Sequence, residues 1–198
     1  MTTESGMSDG ILRLTVSELL DAVAARSPAP GGGAVAAVVT GLAAALTAMA
    51  GRYADPAAIP PDLVDRAEGL RAAARPLADA DAAAYGSYLA ATQLPRESGN
   101  RRTAVAQALS EASEVPLRIA EIAAEVAALG QRLAHDGNPN LRGDAIAGVL
   151  LAAAAASTAA LLVAENLRRT PDDPRPDQAA HAAQAAQDAA RDVVGEGS

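Results

Sequence analysis

The 198-residue sequence contains no cysteine, phenylalanine, tryptophan or lysine, and it has only two histidines. The absence of cysteine excludes disulfide bonds, thiolate metal sites and cysteine nucleophiles. With only His135 and His181 available, a histidine-rich metal cluster is excluded as well. The formal net charge of −8 is opposite in sign to that of most nucleic-acid-binding domains, so no nucleic-acid partner is expected. Carboxylates, amides, tyrosines and arginines are left to carry any chemistry.

The apolar half of the chain consists largely of alanine, and aromatic residues make up only 2% of the sequence. Each buried alanine contributes little to stability, because burying a methylene-sized group is worth only about 0.8 kcal/mol. Helices with such thin sides must pack closely and over long lengths. No segment alternates β-branched and polar residues over the length of a strand. We therefore predict an all-α fold, an antiparallel bundle of about five to six long helices, with a homodimer or higher homo-oligomer burying further faces.

Local signals divide the chain into three parts. We predict a flexible N-terminus over residues 1–11, one helical domain over 12–169, and a linker with a C-terminal helix over 170–198. Thr15 and Glu18 have the spacing of a capping box, which predicts a helix beginning at Val16. Pro76 is expected to kink or split a helix from about 61 to 92, and Pro116 to kink one from about 101 to 134.

Two uncharged runs, 31–51 and 145–164, are each long enough to span a bilayer. Both consist mostly of weakly apolar alanine, and no aromatic belt flanks either run. A small membrane protein is therefore the less favoured alternative. The N-terminus has no basic region of a cleavable signal, so a cytoplasmic location is expected.

The turn at residues 27–33, Ser-Pro-Ala-Pro-Gly-Gly-Gly, leads directly into the first uncharged run. Two prolines end the preceding segment, and three glycines allow backbone angles that a side chain forbids. The bare amides of Gly31, Gly32 and Gly33 can hold an anion at the start of the helix. Alternatively, the glycines allow close packing of the turn against another element. The pattern alone leaves both interpretations open.

A second candidate is the helix that carries Asp79, Asp81, Tyr85 and Tyr88. Asp79 and Asp81 are two residues apart and point to nearly opposite sides, so they cannot act as a carboxylate pair. Asp81 shares one face with Tyr85 and Tyr88, which favours a carboxylate beside two phenols in a ligand site. The alternative is a solvated aspartate beside two core tyrosines.

Three further groups have both a functional and a structural interpretation. Asn138, Asn140 or Asp144 can bind a ligand or can cap the following helix. An arginine group on the loop before the helix predicted from about 101 to 134 can meet an anionic substrate tail or form a surface charge cluster; its members are Arg96, Arg101 and Arg102. His135 can transfer protons, or can favour the C-terminal dipole of its helix.

Taken in order, six segments resemble one known family. They are Ser-Pro-Ala-Pro-Gly-Gly-Gly at 27–33, Ala-Asp-Ala-Asp-Ala-Ala-Ala-Tyr at 78–85, Leu-Pro at 94–95, Val-Pro-Leu at 115–117, Gly-Asn-Pro-Asn-Leu-Arg-Gly-Asp at 137–144 and Glu-Asn-Leu at 165–167. Over about residues 16–167 the chain resembles the formiminotetrahydrofolate cyclodeaminase/methenyltetrahydrofolate cyclohydrolase family, which also forms the C-terminal domain of formiminotransferase-cyclodeaminase. The resemblance implies an all-helical dimer that acts on a reduced folate without a metal or redox cofactor.

The resemblance also implies roles for individual residues. Asp81 is the first choice for the catalytic carboxylate or the pterin anchor, and Asp144 is the second catalytic candidate. The implied substrate-binding residues are Gly31, Gly32, Gly33, Tyr85, Arg96, Arg102, Asn138 and Asn166. Among these, Arg96 and Arg102 would meet the glutamate tail of the folate.

The chain departs from the family pattern at four positions. Tyr85 replaces a frequent Phe, Arg96 a frequent Lys, Gly143 a common Ser, and Glu165 stands where the family is usually aliphatic. A buried Glu165 would be costly unless paired. These departures leave open a non-catalytic helical oligomer of the same family that binds a folate-like or other anionic ligand.

Overall fold

The computed structural model describes residues 10–195, and these residues form an all-α fold without strands. The described chain has seven α-helices: α1 (Val16–Ala24), α2 (Gly32–Arg52), α3 (Leu63–Ala74), α4 (Leu77–Thr92), α5 (Arg101–Asp136), α6 (Arg142–Leu167) and α7 (Arg175–Gly195). Short 3-10 helices at Ile11–Arg13 and Pro139–Leu141 precede α1 and α6. The predicted fold class is confirmed.

The start of α1 follows from its sequence. The hydroxyl of Thr15 accepts a hydrogen bond from the Glu18 N–H at 3.2 Å, and the Glu18 carboxylate accepts one from the Thr15 N–H at 2.7 Å. This reciprocal capping box confirms the predicted helix start. The predicted flexible N-terminus extends too far, because Ile11 begins a 3-10 helix and is buried. The rest of that segment, residues 1–9, lies outside the described residues.

The two interior prolines have different effects. Pro76 separates α3 from α4, so the predicted long helix is split. Pro116 instead lies inside the single 36-residue helix α5. A proline removes one helical hydrogen bond, and the helix persists where packing and another donor compensate for the loss. The split at Pro76 adds a helix to the number predicted from the sequence.

Helices α5 and α6 form the centre of the bundle and pack against each other along their lengths. Helix α2 packs mainly against α6, α7 covers α5 and α6, and α3 and α4 pack against α2 and α5. Small residues allow the close approach of α2, α5 and α6. A Cβ at Gly130 would lie 2.8 Å from Val149 Cγ2, and a Cβ at Gly148 would lie 3.2 Å from Thr47 Oγ1. The alanine-rich helices therefore pack as closely as their composition predicts.

Helix α2 and the segment Pro139–Leu167 are long and apolar enough to cross a membrane by length and composition. Within their most apolar windows, 56% and 44% of the residues are buried inside the fold. Central helices of a bundle meet the same criterion, because their neighbours are other apolar helices. The core position thus accounts for the buried part of each helix, while α6 also exposes Leu150, Leu151 and Leu161.

Candidate active site

A cavity of about 580 Å³ opens between the first turn of α2, the middle of α4, the first half of α5 and the end of α6. This volume is typical of small-molecule sites. Gly31, Gly32 and Gly33 form one wall, and Asp81 and Tyr85 from α4 form another. The structure thus brings together the glycine turn and the Asp81 face, which are far apart in the sequence.

Asp81 is bound to the first turn of α2. Its Oδ2 accepts a hydrogen bond from the Ala34 backbone N–H at 3.0 Å. Helix N-termini favour negative charge because their first N–H groups point outward and the helix dipole is positive there. The anion at this helix start is therefore a carboxylate of the protein itself, while Gly31 and Gly32 leave their sides of the turn open to the cavity.

The electrostatic environment of Asp81 has two opposing effects. Burial raises the pKa of the Asp81 carboxyl above its ordinary value, and the hydrogen bond from Ala34 lowers it in part. The net direction is upward. A raised pKa brings a carboxyl group closer to the range in which general acids and bases work than an ordinary aspartate is. Asp81 is therefore suited to proton transfer in this cavity.

Asp79 has a separate, structural role. Its Oδ1 accepts a hydrogen bond from the Ile11 N–H at 2.6 Å and holds the N-terminal 3-10 helix against α4. Gly10 has a φ of 74°, which favours glycine, and a Cβ there would lie 2.9 Å from Asp79 Oδ2. Asp79 and Asp81 thus bind different elements, as their predicted opposite orientation requires.

Tyr85 and Tyr88 both line the cavity, on the face of α4 that carries Asp81. Their ring centroids are 5.9 Å apart, and the rings are tilted by 41°. Tyr85 is 41% exposed, so its ring is available to a ligand. The predicted grouping of one carboxylate with two phenols is present in the structure.

The end of α6 supplies the opposite wall of the cavity. Asn166 and Glu165 line it, and the exposed position of Glu165 removes the cost that a buried carboxylate would carry. Arg168 and Arg169 also line it. Neither arginine was predicted as a site residue, although both directly follow the Glu-Asn-Leu motif at 165–167.

Arg96, which precedes α5, and Arg101 and Arg102, which lie in its first turn, do not line the cavity. Arg96 and Arg102 are exposed on the surface. Arg101 donates hydrogen bonds to the carbonyls of Leu94 at 3.0 Å and Thr92 at 2.9 Å, so it caps the end of α4. For Arg101 the structural interpretation accounts for the side chain, whereas the predicted contact of Arg96 and Arg102 with substrate stays a prediction.

Asn138 and Asp144 lie at the other end of α6 from Asn166. The 22-residue interval between Asp144 and Asn166 corresponds to about 33 Å of helix. Asn138 caps the 3-10 helix by accepting from the Asn140 N–H at 3.0 Å, and its Nδ2 donates to the Tyr53 carbonyl at 3.0 Å. One chain therefore does not bring Asn138 or Asp144 to the cavity, and their proposed roles stay predictions.

His135 also lies away from the cavity. Its Nε2 is 2.7 Å from Asp192 Oδ2, and this contact joins the end of α5 to α7. The same oxygen accepts a hydrogen bond from Gln131 at 2.7 Å. The histidine thus takes part in a contact between helices.

Among residues 10–195, no group of three or more His, Asp or Glu side chains is arranged to hold a metal ion. The described part of the cavity instead contains two carboxylates and two guanidinium groups, from Asp81, Glu165, Arg168 and Arg169. This charge pattern suits an organic ligand that carries both hydrogen-bond donors and carboxylates.

Comparison with known proteins supports a single family. The sequence profile described as formiminotransferase-cyclodeaminase matches residues 15–187. The chain is 31% identical over 169 residues to a methenyltetrahydrofolate cyclohydrolase of Methylorubrum extorquens, covering 80% of this chain and 81% of that protein. It is 33% identical over 155 residues to the formimidoyltransferase-cyclodeaminase of Mus musculus, covering 73% of this chain and 29% of the mouse protein.

The fold has a solved counterpart. The crystal structure of formiminotetrahydrofolate cyclodeaminase from Thermotoga maritima matches with a TM-score of 0.74 and 26% sequence identity. The match covers 93% of this chain and 99% of the Thermotoga chain. The helical architecture is therefore shared over nearly the whole of both proteins.

Proposed function

The chain belongs to the formiminotransferase-cyclodeaminase family, and we propose that it is a folate one-carbon enzyme that forms or opens the methenyl bridge of tetrahydrofolate. The resemblance drawn from the ordered motifs is confirmed by these matches. The observation that carries the proposal is the position of Asp81, a partly buried carboxyl with a raised pKa that faces a ligand-sized cavity.

Two reactions fit this site, and both centre on the carbon held between N5 and N10. In cyclisation, N10 attacks the formimino carbon on N5, N10 loses its proton, and ammonia leaves to give the methenyl bridge. In hydrolysis, water attacks the methenyl carbon, one C–N bond opens, and the formyl product and a proton are released. Each reaction needs a group that accepts a proton from the attacking atom and returns one to the nitrogen that leaves.

Asp81 is suited to this role. Its ionised form accepts the proton from N10 or water, and its protonated form donates to the departing nitrogen. Because the Ala34 N–H holds one carboxylate oxygen, the other oxygen has a defined direction relative to the α2 turn. Fixed placement of the proton acceptor beside the reacting atoms lowers the entropic part of the barrier.

The remaining walls are assigned to binding. Gly31 and Gly32 let the substrate approach the backbone, and Tyr85 supplies a flat apolar surface for an aromatic ring. Arg168 and Arg169 supply positive charge for the carboxylates of the glutamate tail. No metal or redox cofactor is part of the proposed reaction, and the substrate is a tetrahydrofolate derivative.

The direct test is an absorbance assay, since methenyltetrahydrofolate has a near-ultraviolet band that the open forms lack. Growth of this band from formiminotetrahydrofolate, with ammonia release, identifies a cyclodeaminase. Accelerated loss of the band from methenyltetrahydrofolate identifies a cyclohydrolase. If neither signal differs from buffer at high protein concentration, the chain is a non-catalytic member of the family and the proposed function is wrong.

Substitutions then connect the activity to the cavity. Asp81→Asn is expected to reduce kcat by about 100-fold or more, the usual contribution of a general acid or base. Asp144→Asn tests the second candidate, which lies far along α6 from the cavity. Asp21→Asn, at an exposed position on α1, is the matched control. A larger loss for Asp144→Asn than for Asp81→Asn would move the reaction away from this cavity.

The proposal includes a cytoplasmic homodimer. Exposed apolar side chains on α1 and α6 support an assembly, since Val16 is 75% exposed, Leu20 66% and Leu161 62%. Light scattering on the purified protein measures the oligomeric state, and recovery without detergent from the cytosolic fraction measures the location. A monomer at micromolar concentration would contradict the predicted dimer without affecting the assignment of Asp81.

A further inference from the structure

The proline in the middle of α5 leaves one backbone carbonyl without its helical partner. In an α-helix, the N–H of residue i donates to the carbonyl of residue i−4, so position 116 would normally donate to the Ala112 carbonyl. Pro116 has no N–H. Ala112 and Pro116 both line the cavity, so this interruption of the helical hydrogen bonds lies in the cavity wall. A polar group left without a partner there would cost stability.

Asn166 from α6 supplies the missing donor. Its Nδ2 donates a hydrogen bond to the Ala112 carbonyl at 3.3 Å. Only the amide NH₂ can satisfy a carbonyl oxygen, because the amide oxygen is itself an acceptor. The carbonyl left by Pro116 therefore determines which way the Asn166 amide is turned.

This orientation leaves the Asn166 oxygen as an acceptor. Asn166 lines the cavity, and within residues 10–195 its Oδ1 has no hydrogen-bond partner from the protein. The nitrogen is held by Ala112, so the atom that Asn166 presents to a ligand is the oxygen. Rotation of the amide by 180° would place two acceptors together at Ala112 and is disfavoured.

We propose that Asn166 is a specificity-determining residue whose Oδ1 accepts a hydrogen bond from an N–H donor of the bound folate, and that Pro116 positions it for this contact. This inference rests on the proposed function, since it assigns a contact to the same substrate. The reduced pterin ring carries several N–H donors, so an acceptor with a fixed direction contributes to recognition. An acceptor already held in place loses no rotamer freedom on binding.

The probe is tetrahydrofolate without a one-carbon unit, titrated calorimetrically into the 198-residue protein. Asn166→Ala removes the acceptor and is expected to weaken tetrahydrofolate binding by about tenfold. Asn166→Asp keeps the shape and the acceptor oxygens but cannot donate to Ala112, so its charge is repelled by that carbonyl. It is expected to bind at least as weakly as Asn166→Ala.

The double variant Pro116→Ala/Asn166→Asp separates positioning from simple contact. Pro116→Ala returns a backbone N–H that completes the helical hydrogen bond to Ala112. The carboxylate at position 166 is then free to accept from the substrate. The double variant is expected to bind tetrahydrofolate about threefold or more tightly than Asn166→Asp alone, whereas Pro116→Ala alone should bind it no more tightly than the unsubstituted protein. That difference between the two backgrounds is a coupling that independent sites do not show.

Gln187→Ala is the matched control, because Gln187 also donates from its side-chain amide to α6, at 2.8 Å to Ser157, and does not line the cavity. Gln187→Ala should bind tetrahydrofolate like the unsubstituted protein. Its change in thermal stability should be comparable to that of Asn166→Ala. Circular dichroism of every variant verifies that the helices are retained. In assays, the Asn166 variants should raise KM more than they lower kcat.

The outcomes distinguish the two proposals. If the unsubstituted protein neither binds tetrahydrofolate nor changes the methenyl band, the proposed function fails. If it does both, and Asn166→Ala binds equally well, the assignment of Asn166 fails while the proposed function stands. If Asn166→Ala binds weakly but the double variant shows no recovery over Asn166→Asp, the positioning role of Pro116 is overturned.

Discussion

Asp81 occupies the space that a side chain at Gly33 would need. A Cβ added to Gly33 would lie 2.5 Å from Asp81 Cγ, closer than non-bonded carbon atoms approach. The absence of a side chain at this position therefore lets the carboxylate reach the Ala34 N–H at the start of α2. The glycine turn and the candidate catalytic carboxylate form one unit, in which neither position can change independently.

The first prediction follows from this contact. Gly33→Ala should displace the Asp81 carboxylate and reduce kcat by about 100-fold, since a misplacement of about 1 Å has effects of this size. Steady-state kinetics with methenyltetrahydrofolate or formiminotetrahydrofolate measure the change. Gly41→Ala is the control. Gly41 lies in the same helix as Gly33, and a Cβ added there would have no neighbouring atom within 4 Å. It should keep the activity and stabilise α2 by up to about 1 kcal/mol.

The second prediction concerns pH and Asp81. The pKa of Asp81 is raised in the folded protein, so its ionised form is less favourable there than in the unfolded chain. Asp81→Asn should therefore raise the thermal midpoint at pH 7. The difference in thermal midpoint between Asp81→Asn and the unsubstituted protein should decrease as the pH falls toward the ordinary aspartate value of 3.8. Protonation of Asp81 then removes the charge that the substitution removes. Thermal unfolding at a series of pH values tests this. An advantage that widens at low pH would show that the pKa is depressed.

The same raised pKa predicts the acidic side of the pH–rate profile. If the ionised Asp81 accepts a proton in the reaction, activity should rise with pH through a pKa that lies above 3.8. Measuring kcat/KM over a range of pH locates this limb. The residual activity of Asp81→Asn should not show it. An unchanged acidic limb in that variant would assign the titration to another group.

The third prediction concerns the two arginines at the end of α6. Arg168→Ala and Arg169→Ala should each raise KM for the folate by about twofold to fivefold, as expected for partly solvated charge pairs. The effect should decrease with added salt. Arg132→Ala, which breaks the surface pair of Arg132 with Asp136, is the control. If Arg96→Ala or Arg102→Ala raises KM more strongly, the sequence-based assignment of the tail contact is correct instead.

The fourth prediction concerns the connection between α5 and α7. Arg175 is 14% exposed in its side chain and contacts Asp173 at 2.7 Å, Glu114 at 2.5 Å and Ser110 Oγ at 2.8 Å. Arg175→Ala should lower the thermal midpoint by a few degrees and increase hydrogen exchange at the start of α7. Arg191→Ala is the control, since the Arg191–Asp188 pair is exposed. Equal effects of the two variants would contradict a specific role for Arg175.

The pH dependence of this connection has the opposite sign to that of Asp81. Arg175 lowers the pKa of Asp173 from 3.8 to about 2, so the ionised carboxylate is favoured in the folded state. Its contribution to stability is present above 3.8 and is lost as the pH falls toward about 2. The stability difference between the unsubstituted protein and Arg175→Ala should thus be constant near neutral pH and narrow below pH 3.8.

Patterns among residues close together in the sequence were sufficient to predict much of the local structure of this protein. The capping box of Thr15 and Glu18, the helix break at Pro76, and the separation of Asp79 from Asp81 all depend on spacing within one or two helical turns. The ordered motifs were sufficient for the family, and the shared face of Asp81 and Tyr85 was sufficient to indicate one side of the cavity.

The contacts between helices could be seen only in the folded protein. Asp81 meets Ala34 across 47 positions of sequence, and Asn166 meets Ala112 across 54. Alanine-rich helices carry few large side chains that would specify which faces meet, so their pairing depends on the fit of the whole bundle. Local sequence patterns were therefore enough to predict the fold class, the start of α1, the break at Pro76 and the family. The packing of the whole bundle brings Arg168 and Arg169 to the cavity wall and leaves Asp144 at the other end of α6, because such positions arise from the summed packing of many small side chains.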